Sequence, residues 1–212
     1  MAYRPTERTL ARKAAVRDGL LNSALACVAS DGFNGLTIAG VAQRAGMATG
    51  AVYKHFESKA HLCAEVFRLA TEKEVAMVRA AATGPGAPAQ RLRDAIAVFA
   101  ERALRGRRLA YALIAEPIDT LVDVQRLHFR RAYADIFQQL VKDGMQTGDF
   151  VPQDAELSAA GLVGVISEAL VGPLSWQRVG QEAPPAEPLI VAIQAFCLRA
   201  VGAAIPHRPN GV

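Results

Sequence analysis

Long uninterrupted apolar runs are missing from this 212-residue chain. The most apolar stretch, residues 157 to 176, is broken by Ser158, Ser167 and Glu168 and by Gly161, Gly164 and Gly172. It then runs through Pro173 and Trp176 to Arg178. A membrane-spanning helix needs about 20 consecutive apolar residues, so no membrane partner is expected. The first eighteen residues carry Arg, Thr, Glu and Lys throughout, without the apolar segment of a secretory signal, and a cytoplasmic protein is expected. Cysteine is sparse. Cys27, Cys63 and Cys197 are odd in number, far apart and set among apolar residues, which argues for reduced structural thiols rather than a disulfide framework. No nucleophile elbow, phosphate loop or dinucleotide fingerprint occurs, so neither enzymatic activity nor a cofactor is expected. His55, His61, Cys63 and Glu65 are close in sequence, but Cys63 lies off the helix face that His61 and Glu65 share. No metal site is expected there.

What is present is an ordinary globular composition, half apolar and a fifth charged. The formal charge of +4 is unevenly spread. Residues 1 to 60 hold eight Lys and Arg against four acids, while the other 152 residues hold sixteen of each sign. All the excess positive charge therefore sits at one end. That polarity fits an N-terminal part that meets a polyanion and a remainder that does something else.

Breakers divide the chain into helices, and no convincing strand pattern interrupts them. The strongest punctuation is the Gly- and Pro-rich stretch at residues 83 to 88, followed by those at 148 to 152 and 180 to 188. The spacing predicts a first helix from about 13 to 31, closed by Gly32 in a left-handed conformation, with a disordered basic arm of Arg4, Arg8, Arg12 and Lys13 before and at its start. Two short helices are predicted within residues 37 to 56, and a longer one capped by Ser58. Later helices are predicted at 88 to 105, 107 to 116, 120 to 147, 155 to 179 and 187 to 204.

Residues 37 to 56 have the internal logic of a helix-turn-helix. Thr37 caps the first helix, Ala42 is small where a second helix crosses, and Gly46 supplies the positive φ of a tight turn. Ile38, Val41, Ala45, Met47 and Val52 take core-facing positions. The second helix, about 49 to 55, then offers Thr49, Gly50, Tyr53, Lys54 and His55 outward, with N-terminal amides suited to a phosphate. Phe56 reads as core and Tyr53 as a phosphate contact. Thr37, Arg44 and Lys59 complete the candidate DNA-binding set, Lys59 by reaching the DNA backbone from the start of the next helix.

Gly35, Thr37 and Ile38, Val41 and Ala42, Ala45 and Gly46, and above all Gly50, Ala51, Val52 and Tyr53 with Phe56, Glu57, Ser58, Lys59 and Leu62 make this segment resemble the TetR family of regulators. The match spans about 30 residues. Ala48 and Ala51 depart from the commoner pattern of hydroxyl residues, so Thr49 becomes the expected hydroxyl donor. The resemblance implies an all-α fold with a three-helix DNA-binding head, taken as residues 1 to 57, and a larger helical body, residues 58 to 212. It implies a ligand pocket in that body and a homodimer built by the last two long helices. Their apolar faces are read as Leu162, Val165, Ile166, Ala169 and Leu170 on one and Leu189, Ala192, Ile193 and Phe196 on the other.

Within the body, Phe99, Tyr111, Glu116, His128, Tyr133, Phe137 and Trp176 are candidate ligand contacts, being aromatic or isolated polar groups among apolar residues. Arg105, Arg107 and Arg108 form a short basic cluster at a helix junction, read first as a solvated corner and alternatively as a site for an anionic head group. The expected function is a repressor of transcription on double-stranded DNA. Two heads would bind a pseudo-palindromic operator at about 34 to 36 Å spacing or a multiple of it, and a small, largely apolar effector would release them. The competing expectation is a constitutive DNA-binding protein with a solid body.

Overall fold

The computed structural model describes residues 6–175 and 185–203. Arg4, Trp176 and Arg178 lie outside them. Among the described residues the elements are nine helices: α1 (Glu7–Gly35), α2 (Ile38–Arg44), α3 (Thr49–Tyr53), α4 (Lys59–Ala82), α5 (Pro88–Arg105), α6 (Arg107–Ile114), α7 (Thr120–Thr147), α8 (Ala155–Leu174) and α9 (Ala186–Ala200). No strand occurs among these residues.

The helix starts follow local chemistry. Thr6, Thr37, Ser58, Asp119 and Asp154 each accept a backbone N–H at the first turn of the helix they precede. Proline at the first position opens α5. Because Thr6 caps α1, the basic arm is helical from Glu7 onward rather than disordered, which corrects the expectation for Arg8, Arg12 and Lys13.

Helix α4 is the spine. It packs along α7 and α5 and also meets α1, joining head and body. One contiguous apolar core runs through both, with Phe33, Phe56 and Leu62 at the head end and Phe67, Ile96, Phe137 and Leu140 in the body. Phe67 stacks on Phe33 and touches Phe129, so a single α4 ring links the two parts. Arg17 of α1 bonds Glu65 of α4 at 2.6 Å and lies over the Phe56 ring, bracing the head from outside. Cys63 and Cys197 are buried thiols pushed up to about 11 by desolvation, which keeps them protonated.

Helix α8 is apolar and long enough to cross a membrane by composition alone. It packs instead against α7, α5 and α6, and buries Leu162, Ile166, Leu170 and Leu174 in the common core. Those burials correct the dimer-face expectation. Leu162, Ile166, Leu170 and Ile193 are at most 4% exposed within one chain and cannot meet a partner. The outward faces are Leu157, Ala160, Gly161, Gly164 and Glu168 on α8, and Val191, Ala192 and Phe196 on α9. Of the expected set, Ala192 and Phe196 are exposed, while Val165, Ala169 and Leu189 are half-buried.

Candidate nucleic-acid interface and body cavity

The head follows its sequence closely. Thr37 Oγ1 accepts from Gly40 N at 3.0 Å, so this hydroxyl works as a cap. Gly46 has φ +66 in the turn between α2 and α3, a conformation L side chains rarely adopt. Val41, Ala42, Val52 and Phe56 are buried and fix the crossing of the two short helices. Tyr53 is 56% exposed, although it is a large aromatic in a well-packed head. Arg44, Thr49, Gly50, Lys54 and Lys59 are exposed with it. As expected from Ala48, α3 has no side-chain cap.

His55 departs from the outward set. It is half-buried, and its Nδ1 is enclosed with no hydrogen-bond partner among the described residues. Desolvation lowers its pKa, with the charges of Lys13, Arg17 and Lys54 acting in the same direction. Burial therefore favours the neutral ring and takes His55 out of the outward set. The side chains of the His–Cys–Glu group are engaged elsewhere. His61 Nδ1 accepts from Glu57 N, Cys63 is buried, and Glu65 binds Arg17 and Arg68.

The junction of head and body holds a group that sequence reasoning assigned elsewhere. At Gly32 the backbone leaves the helix (φ 76, ψ −179) and turns again through Phe33 to Gly35. That break strips Phe33 N and Asn34 N of helical acceptors. Glu116, just beyond α6, supplies them: Phe33 N donates to Oε2 at 3.0 Å and Asn34 N to Oε1 at 3.1 Å. Glu116 is only 3% exposed. Arg108 of α6 donates to Asp31 O and lies 4.0 Å from the same carboxylate. Arg126 of α7 donates to Glu116 O at 2.6 Å and to Leu113 O at 3.1 Å, holding the end of α6 from behind. Glu116 is a clamp on α1 and does not line the cavity described next.

That cavity, of about 330 Å³, lies in the body between α4, α5, α6, α7 and α8. Its size falls within the roughly 300–1,000 Å³ usual for small-molecule sites. The walls are mostly apolar, with Phe67, Phe99, Leu109, Leu113, Phe129 and Val163 prominent. Two expected contacts are there, Phe99 and Tyr133, meeting edge to face at 5.2 Å. Tyr111, His128 and Phe137 are not on the wall. Phe137 is wholly buried in the core, and His128 is exposed with its ring against Phe129. The residues missed include Phe67, Phe129, Arg130 and the pair Glu74–Arg102. Helical spacing marks them as inward-facing but cannot separate a packed face from a cavity wall.

Comparison with known proteins agrees with this architecture. The family model described as bacterial regulatory proteins, tetR family, matches residues 20–66. The one described as the tetracyclin repressor-like C-terminal domain matches residues 85–170. No curated protein is detectably similar in sequence. Among solved structures, the fatty acid degradation regulator FadR from Bacillus halodurans is 17% identical, with a TM-score of 0.74 over 89% of this chain and 97% of that one. FadR from Bacillus subtilis in complex with stearoyl-CoA is 16% identical, with a TM-score of 0.73 over 87% and 98%. RolR in complex with resorcinol is 19% identical, with a TM-score of 0.68 over 92% and 91%. At such identities these structures speak to fold alone. With a helix-turn-helix head and a helical body each matched by its own family model, the chain belongs to the TetR family of DNA-binding transcriptional regulators.

Proposed function

We propose that this regulator is a homodimeric repressor, acting in the cytoplasm, that leaves its operator when a small, largely apolar molecule fills the body cavity. The observation that carries the reading is the cavity itself, because α6 forms one wall and ends at the clamp on α1. A molecule that repositions α6 also moves the carboxylate on which the head hangs. Linkage then requires the effector to bind the DNA-incompetent arrangement more tightly, with a coupling of about 1 to 3 kcal/mol in a typical case. Two structural neighbours hold small molecules, stearoyl-CoA in one and resorcinol in the other, which is consistent with a ligand-filled body in this fold.

On DNA, Lys54, Thr49 and Gly50 face the major groove, while Tyr53, Arg44 and Lys59 meet phosphates. The dimer forms through the exposed faces of α8 and α9, where Leu157, Val191 and Phe196 are at least half exposed in one chain. Small residues between them allow close approach.

The test begins with an operator selected from a randomised DNA pool. Hydrophobic metabolites are then scored for a melting shift of the free protein and for release of that operator. A true effector does both, and its melting shift shrinks when operator is bound. If no compound does either, a constitutive DNA-binding regulator replaces the ligand-controlled one.

A further inference from the structure

The polar inventory of the cavity narrows what enters it. Thr71 Oγ1 donates to Phe67 O at 2.8 Å and Ser167 Oγ to Val163 O at 2.7 Å, so both hydroxyls are spent on their own helices. Arg102 is gripped by Glu74 through Nε and Nη2. Arg126 is taken up by backbone carbonyls and by Asp123. What remains is Tyr133 on the inner wall and two arginines, Arg105 and Arg130, at the exposed edge.

Among the described residues, neither arginine has a carboxylate within ion-pair distance. The phenol of Tyr133 stays protonated, because burial, and secondarily Glu74, push its pKa up. Four arginines line the cavity against the single carboxylate of Glu74. The edge is therefore positive and the interior apolar.

We infer that the effector is an amphipathic anion, with its apolar body among Phe67, Phe99 and Phe129 and its charged head between Arg105 and Arg130. The inference rests on the effector-cavity reading above and adds the sign and position of the ligand's charge. A carboxylate in the apolar interior would be stripped of water with only the neutral Tyr133 phenol to donate to it, whereas at the edge it keeps solvent and gains two guanidinium groups. A cation of the same shape meets like charge at the entrance. A neutral molecule gains the apolar contacts alone. Carboxylate and phosphate heads both satisfy the two arginines, and the probes separate them.

The experiment uses the full-length protein with dodecanoate, dodecyl phosphate, dodecanol and dodecylamine, each below its micelle-forming concentration. Displacement of bound Nile red gives relative affinity. The expected order is either anion about tenfold tighter than dodecanol, with dodecylamine weakest, and the larger anion preference identifies the head group. Raising the salt concentration should shrink the preference. Arg105→Gln/Arg130→Gln should bring the anions to the level of dodecanol while leaving dodecanol binding and the melting temperature as they were, since both side chains are exposed. Dodecanol binding as tightly as the anions, or an anion preference that survives the double substitution, overturns the inference and leaves the cavity reading standing. Failure of all four probes, together with no Nile red binding, overturns both.

Discussion

The Glu116 clamp can be tested by Glu116→Ala. The substitution deletes the acceptor of two hydrogen bonds, from Phe33 N and Asn34 N, in a site only 3% exposed. Hydrogen bonds to a charged group contribute roughly 1.5 to 3 kcal/mol each, and a buried N–H left unpaired costs about 1 to 3 kcal/mol. Against this stands relief from burying a carboxylate, which offsets part of the loss. A net cost of about 3 kcal/mol follows, and for a chain of this length that corresponds to a melting temperature lower by roughly 6 to 12 °C. Glu116→Gln should fall between wild type and Ala, because its amide keeps one acceptor oxygen but turns an NH₂ toward the second donor. Gly32→Ala attacks the same clamp from the other side: its Cβ would lie 2.6 Å from Glu116 Oε2 and 2.5 Å from Arg108 Nη2, at φ +76. The assay is calorimetry of the three variants, paired with hydrogen exchange at Phe33 and Asn34. If Glu116→Ala melts within about 1 °C of wild type with those amides still protected, the carboxylate does not hold the head and the reasoning fails.

Three other outcomes are expected. Tyr53→Ala and Lys54→Ala should each weaken operator binding by about 1 to 3 kcal/mol in a gel shift without changing the melting temperature, since both side chains are exposed; wild-type affinity in both would move the recognition surface elsewhere. Val191→Glu and Phe196→Glu should give folded monomers in sedimentation, whereas Ile166→Glu should unfold the body; intact dimers for the first two would place the interface off α9. Because His55 has a folded-state pKa below its ordinary 6.5, the unfolded chain binds the extra proton more readily. The head is therefore fully stable above that value and loses stability as pH falls through 6.5 toward the lower folded pKa; a melting curve between about pH 7 and pH 5 that is no flatter in His55→Gln would show that another group is responsible.

The sequence alone determined the features that depend on neighbours a few residues away. Thr37 and Ser58 as caps, Gly46 as the turn, α5 from 88 to 105 and α7 from 120 to 147 were all legible, because a cap or a breaker acts within one turn of helix. The exposure of Tyr53 and burial of Phe56 were equally readable from helical spacing within the head. The tertiary structure decided where the other faces pointed. Ile166 and Ile193 belong to wide apolar faces, and spacing cannot say which side of such a face meets its own core and which meets solvent. His55 was read as outward from its place after Lys54, but α3 ends at Tyr53 and the ring is half-buried with its Nδ1 enclosed. Glu116 is the sharpest case. An isolated acid among apolar residues suggests a ligand contact, yet its partners, Phe33 and Asn34, are 83 and 82 residues away. Their need for an acceptor arises only when Gly32 breaks α1 beside the end of α6, a meeting that no local pattern in the chain records.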